Sequence, residues 1–320
     1  MRTKVKYYIL LILFYIFLNP VNKVSAQELN ISVSPPLTEI LMIPGKEIVQ
    51  TYTLTNSSDA KLISVDIFPF LPDIENPEEI VINEKEGLSK SNTYQSWFSI
   101  ENPKVSFGQK FNLSGTSEQK ISIRISVPKN AVAKDYYFTV LFSIEKTNPL
   151  ISDNSLQTKA QIGSNILITA SEKEKVYMSS RTVLFSPPFI IDSLQKINFK
   201  IILENTGRAF SKPIGKITIQ NLITKKTEVL NLSPLNILSS YSREIYCLKS
   251  EEIVPCETSP KMLFGLYKST LNYNLDGENQ IHQEESFTFA FPFSFIITII
   301  VVIIIYKIIN SKTKNKIKNI

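Results

Sequence analysis

Two cysteines, Cys247 and Cys256, are the only thiols in the 320 residues. Both fall in what reads as the exported part of the chain, where a thiol pair this close in sequence can close a small disulfide loop. Other chemistry lacks its residues. The single histidine is His282, so a Cys/His metal site has no ligand set. A Ser-His-Asp triad would have to use that one imidazole, and His282 lies close to the apolar C-terminal run, where a solvated strand position suits it better. The acid pairs Glu78-Glu79, Glu251-Glu252 and Glu284-Glu285 are adjacent in sequence. On a strand, neighbouring side chains leave opposite faces, so such pairs cannot act as acid/base dyads. No glycine-rich phosphate loop occurs. The expectation is a protein that is not an enzyme and holds no cofactor and no metal.

Aromatic side chains are the remaining candidates for binding. Sugars stack on exposed rings, and aromatics anchor protein interfaces. Tyr94, Trp97 and Phe98 follow a polar stretch, and Tyr137 sits in the run Tyr136-Tyr137-Phe138. Tyr94, Trp97, Phe98 and Tyr137 are therefore the candidate ligand-binding residues. Trp97 has a second reading, as the core tryptophan of a sandwich, and that reading is preferred.

The elements that must position these residues are strands. In Lys120–Val127, Ile121, Ile123, Ile125 and Val127 alternate with Ser122, Arg124 and Ser126. Period two over this length means a half-buried strand. The same alternation recurs at Ile63, Val65, Ile67 and at Ile197, Phe199, Ile201, Leu203. Asp276-Gly277 marks a hairpin, and Thr224–Lys226 marks another. No amphipathic helix stands out between 27 and 286, and 71–91 reads as a polar surface excursion. The fold class expected is all-β: two tandem immunoglobulin-like β-sandwiches, 27–170 and 176–286, joined by the charged linker 171–175. The halves echo each other. Ser34-Pro35-Pro36 precedes a strand ending at Asn56, and Ser186-Pro187-Pro188 precedes one ending at Asn205.

The two ends read as targeting segments. Residues 1–26 have Arg2, Lys4 and Lys6 before an apolar run and small residues up to Ala26, which predicts a signal peptide cut between Ala26 and Gln27. Residues 287–309 carry no charge before Lys307, which predicts a single transmembrane helix. The lysine-dotted tail 310–320 would stay in the cytoplasm, giving a type I protein of the plasma membrane with its N-terminal part outside. The net charge of +6 belongs to these ends. Setting aside four positive charges before residue 27 and five after residue 306 leaves −3, so no nucleic-acid partner is implied.

The order Pro44-Gly45, a strand to Asn56, Trp97-Phe98, an alternating strand, Val127-Pro128 and Tyr136-Tyr137-Phe138 resembles the bacterial WxL-interacting cell-surface proteins. Asn205-Thr206-Gly207 followed by Lys212-Pro213 and Gly215 resembles their second domain. The resemblance implies peptidoglycan, or another cell-surface protein, as the partner of a membrane-anchored scaffold or adhesion protein. It departs from the pattern before Pro44-Gly45, where an aromatic pair is missing, and at Lys134-Asp135. Two alternatives stand beside it: an extracytoplasmic assembly factor acting by β-strand addition, and an enzyme of wall polysaccharides.

Overall fold

The computed structural model describes residues 30–72, 80–82, 84–90, 93–145, 160–172 and 176–317. Ala26 and Gln27 lie outside the described residues, as does most of the expected linker.

The chain is mostly β, and alternation explains why. In the strand Ser117–Ser126 the isoleucines at 121, 123 and 125 are fully buried while the residues between them are half-exposed. Gly265–Leu275 alternates in the same way over its whole length. One face of each strand thus meets a core and the other meets water.

Ten strands build the first half: β1 (Ile31–Ser34), β2 (Leu37–Met42), β3 (Glu47–Asn56), β4 (Lys61–Pro72), β5 (Ile80–Ile82), β6 (Phe98–Ile100), β7 (Lys110–Leu113), β8 (Ser117–Ser126), β9 (Asp135–Glu145) and β10 (Ala160–Ala170). They form two sheets, ordered β1-β3-β8-β6 and β2-β10-β9-β4-β5, with β7 also on β4. One buried apolar cluster lies between them, including Tyr52, Leu54, Ile63, Val65, Ile121, Ile123, Phe138 and Ile166. The excursion expected over 71–91 is more tied down than its polarity suggests. Leu71 and Pro72 belong to β4, and Leu88 is buried in the core. Asp66 accepts both the amide and the hydroxyl of Ser89.

The second half repeats the plan with β11 (Ser180–Ser186), β12 (Ile190–Asp192), β13 (Lys200–Asn205), β14 (Pro213–Asn221), β15 (Thr227–Leu232), β16 (Ser242–Glu244), β17 (Cys247–Lys249), β18 (Glu252–Val254), β19 (Gly265–Leu275) and β20 (His282–Phe291). The sheets are β11-β13-β16 and β12-β20-β19-β14-β15-β17-β18. Their core includes Ile197, Ile201, Leu203, Ile217, Leu271 and Tyr273.

The two asparagines that end β3 and β13 do the same work. Asn56 Nδ2 donates to the carbonyls of Asp59 and Ser114, both at 2.9 Å, and its Oδ1 accepts the Ser58 amide. Asn205 Nδ2 donates to the carbonyls of Ala209 and Ile237 at 2.8 and 2.9 Å, and its Oδ1 accepts the Gly207 amide. Each amide closes the ladder where the backbone leaves it.

The expected membrane helix is overturned. Among the described residues no helix is long and apolar enough to cross a membrane. Residues 287–291 are the end of β20, where Thr288 and Ala290 are buried and β19 pairs with them. The helix α1 runs only from Phe293 to Ile317. Its uncharged part ends at Tyr306, a length of about 21 Å at the usual rise. A hydrocarbon core is about 30 Å thick. With the span go the single-pass anchor, the type I plasma-membrane placement and the cytoplasmic tail.

Candidate functional site

The sheet that contains β10 has a stepped edge. β10 pairs with β9 along Ala160–Thr169. On its other side β2 covers only Asn165–Ala170, running parallel. Ala160–Ser164 therefore has no strand beyond it among the described residues. The Asn165 amide donates to the Pro36 carbonyl at 3.0 Å, so odd-numbered residues of β10 face away from β9. By the alternation of an antiparallel ladder, the main-chain N–H and C=O of Gln161 and Gly163 point out of this bare edge. The side chains of Ala160 and Ile162 are half-buried and pack against the first core. The edge is thus open in its hydrogen bonds and apolar on its inner side, where an added strand would lay alternate residues. In β2, Leu37 and Leu41 are exposed.

An open edge in the second half is built differently. β20 pairs with β19 along His282–Ala290 but with β12 only at Ile190–Asp192. Its uncovered stretch carries exposed Gln283, Glu284 and Glu285. Charges on an edge discourage a second strand. β10 has no such guard between Ala160 and Ser164.

A junction between the halves lies on the outer face of β9. Phe70, Tyr137 and Leu167 pack with Ile82, Phe210 and Leu238, and the rings of Phe70 and Tyr137 stack 5.8 Å apart. Polar contacts surround this patch. Asp135 accepts the Thr169 hydroxyl at 2.6 Å, the Tyr137 hydroxyl at 2.8 Å and the Phe210 amide. Burial pushes the pKa of Asp135 above the ordinary carboxylate value, against the pull of these donors. Glu39 of β2 accepts from Lys212 at 2.8 Å and from Asn236. Burial alone would raise the pKa of Glu39, but these two donors hold it below its usual value.

The aromatic candidates fall on both sides of this construction. Trp97 and Phe98 are only 6% and 5% exposed; the Trp97 ring lies 4.7 Å from that of Tyr136, and the Phe98 ring 4.9 Å from that of Phe138. They are core residues, so no exposed stacking platform exists at these two positions. Tyr137 is 8% exposed and locked in the junction. Tyr94 is half-buried, its ring 5.1 Å from Phe138, and lines with Tyr137 a cleft of about 780 Å³. β9 is covered on both faces, by the first core and by the second half, so alternation along Tyr136-Tyr137-Phe138 leaves none of the three rings free. Cys247 and Cys256 are joined by a disulfide that staples β17 to the segment after β18. His282 Nε2 lies 3.0 Å from Glu278 Oε1, and its ring stacks on Tyr273.

The bare edge and the junction are not apparent from the sequence alone. The bare edge carries one weak signal, Gly163 within the strand, and glycine in a strand marks a close approach or a break in packing. At the junction, Asp135 at the head of an aromatic strand is the comparable signal.

No family model and no curated protein matches the chain. Among solved structures it is similar to the class 5 fimbriae chaperone CfaA, with 13% identity over 80% of this chain and 99% of that one and a TM-score of 0.39. It is similar to a chain of a chaperone–tip adhesin complex of CFA/I fimbriae biogenesis, with 12% identity over 81% and 98% and a TM-score of 0.39. It is also similar to the E. coli chaperone DraB, with 12% identity over 80% and 95% and a TM-score of 0.34. The resemblance to WxL-interacting proteins, built on turn residues and strand alternation, is matched by no family model and is overturned. Peptidoglycan as the ligand and the membrane-anchored adhesion protein fall with it.

Proposed function

We propose that the protein is an assembly factor that holds a partner protein by β-strand addition, and that it is not an enzyme. The observation that carries this reading is the bare edge Ala160–Ser164, open in its main-chain groups and unguarded by charge. An extended segment of the partner would continue the line of β2, pair with Gln161 and Gly163, and lay alternate apolar side chains over Ala160 and Ile162. In this reading the halves are two immunoglobulin-like domains, 27–170 and 176–291, and 171–175 is their linker. The Cys247–Cys256 bridge suits an oxidising, extracytoplasmic setting.

Photocrosslinking in the producing cell tests it. A photoreactive residue at Gln161 should yield adducts with an extended segment of one partner, and the same residue at Glu284 should not. Gln161→Pro removes one outward N–H and leaves the ladder to β9 intact, so it should lower recovery of that partner at least tenfold. Equal adducts from both edges, or recovery unchanged by Gln161→Pro, would sink the proposal.

A further inference from the structure

A second opening lies on the far side of β9. The ladder between β9 and β4 runs from Leu62↔Glu145 to Pro69↔Phe138 and stops. β4 then turns to pair with β5, Phe70 with Ile82 and Leu71 with Val81. β9 continues to Asp135 with β10 on one side only. The cleft of about 780 Å³ between the diverging strands is lined by Pro69 to Pro72, Val81, Tyr94, Lys134 to Phe138 and Tyr241. Its size is that of a site for a small ligand or a short peptide.

The walls differ in what they offer. Pro69 and Pro72 have no N–H, so the β4 wall is poor in donors. The Ala170 amide donates to the Lys134 carbonyl at 3.0 Å, which makes Lys134 part of a hydrogen-bonded pair. By alternation, the main-chain N–H and C=O of Asp135 turn toward the cleft. The rim carries Leu71 and Val81, 59% and 54% exposed. Lys134 stands 5.0 Å over the Tyr136 ring and forms no ion pair among the described residues. The other charged groups at the cleft are Asp135, whose carboxylate is saturated by Thr169, Tyr137 and Phe210, and Glu86, which already has a partner.

We infer that this cleft binds a short extended apolar segment of a partner protein that carries an acidic residue, with the main chain on β9, the apolar side chains against Leu71, Val81 and the tyrosines, and the acid on Lys134. The site goes beyond the bare edge of β10 and does not depend on it.

The test uses the full chain and two fluorescein-labelled, C-terminally amidated tetrapeptides, Val-Phe-Val-Glu and Val-Phe-Val-Lys, followed by fluorescence anisotropy. The Glu peptide should bind saturably and at least tenfold tighter than the Lys peptide. Lys134→Glu should reverse that order. Val81→Asp and, separately, Leu71→Ser should abolish binding with the melting temperature unchanged, since both side chains are exposed. Gln161→Pro should leave binding as it is, which separates failure here from failure of the edge. No saturation up to millimolar peptide, equal affinity for the two peptides, or binding that survives both rim variants overturns the inference. So does a dimer in sedimentation that Val81→Asp dissolves, because a second copy would then fill the cleft.

Discussion

Tyr137 of the first half accepts the main-chain N–H of Ser239 of the second half at 3.0 Å, and the same hydroxyl donates to Asp135. Burial pushes the phenol's pKa well up, so it remains a donor at any ordinary pH. Tyr137→Phe removes both bonds from a buried site. We expect a loss of about 1–3 kcal/mol in urea unfolding of the full chain. The radius of gyration from X-ray scattering should rise, and an unchanged value would show that the apolar patch and the Asp135 and Glu39 contacts hold the halves together without this bond.

Asn205 is fully buried and its amide makes three bonds. Asn205→Ala removes three bonds from a buried site; the Ile237 carbonyl keeps the Ser211 amide and the Gly207 amide keeps the Ser179 carbonyl, but the Ala209 carbonyl loses its donor, a cost of about 1–3 kcal/mol. Asn56→Ala should cost a comparable amount, since Asn56 has the matching set. Thermal unfolding of the two variants checks this, and a large inequality would mean that the repeated motif is only superficially alike.

The Cys247–Cys256 bridge closes a short loop around the β17–β18 hairpin. Replacing both cysteines with serine should cost about 2–3 kcal/mol. Amide exchange in Lys249, Glu252 and Val254 should quicken more than in β14 or β19. Uniform quickening across the second half would show that the bridge supports the whole sandwich and not the hairpin alone.

Glu278 accepts the Ser180 amide at 2.9 Å, the Ser180 hydroxyl at 2.7 Å and the Leu275 amide at 2.9 Å, beside His282. Burial would raise its pKa, but His282 and these donors together hold it below the ordinary value. Its contribution is therefore full above the unfolded pKa of about 4.3 and is lost as the pH falls through the lower folded value. The stability of Glu278→Gln should vary less with pH below about 5 than that of the native chain. A parallel pair of stability curves would show that Glu278 does not contribute to acid unfolding.

Much of the β framework was legible because it is written in alternation. The strand around Ile121, Ile123 and Ile125, the hairpin at Asp276-Gly277 and the paired asparagines follow from local residues alone. Three readings failed for identifiable reasons. The apolar run after Ser286 looked like one element, yet its first four residues are claimed by pairing with β19 and the fifth by pairing with β12, long-range contacts that hydropathy does not register. Trp97 is the core tryptophan that the sequence favoured, but Phe98, a candidate binding residue, lies in the same core, whose far wall, β9, is distant in sequence. Tyr137 is hidden by the second half, and nothing in Tyr136-Tyr137-Phe138 says that its outer face is covered. The bare edge was illegible because openness belongs to what β2 fails to cover, and the sequence of β10 reads like that of any paired strand.

The contrast between β10 and β20 bears on stoichiometry. A chain with two receptive edges can be joined at both ends and propagate into fibres. Here Ala160–Ser164 can take a strand, while the open stretch of β20 carries Gln283, Glu284 and Glu285. Copies of the chain therefore cannot join β10 to β20 and propagate: these two edges are mismatched, and a strand added at β10 caps that sheet instead of extending a polymer through it.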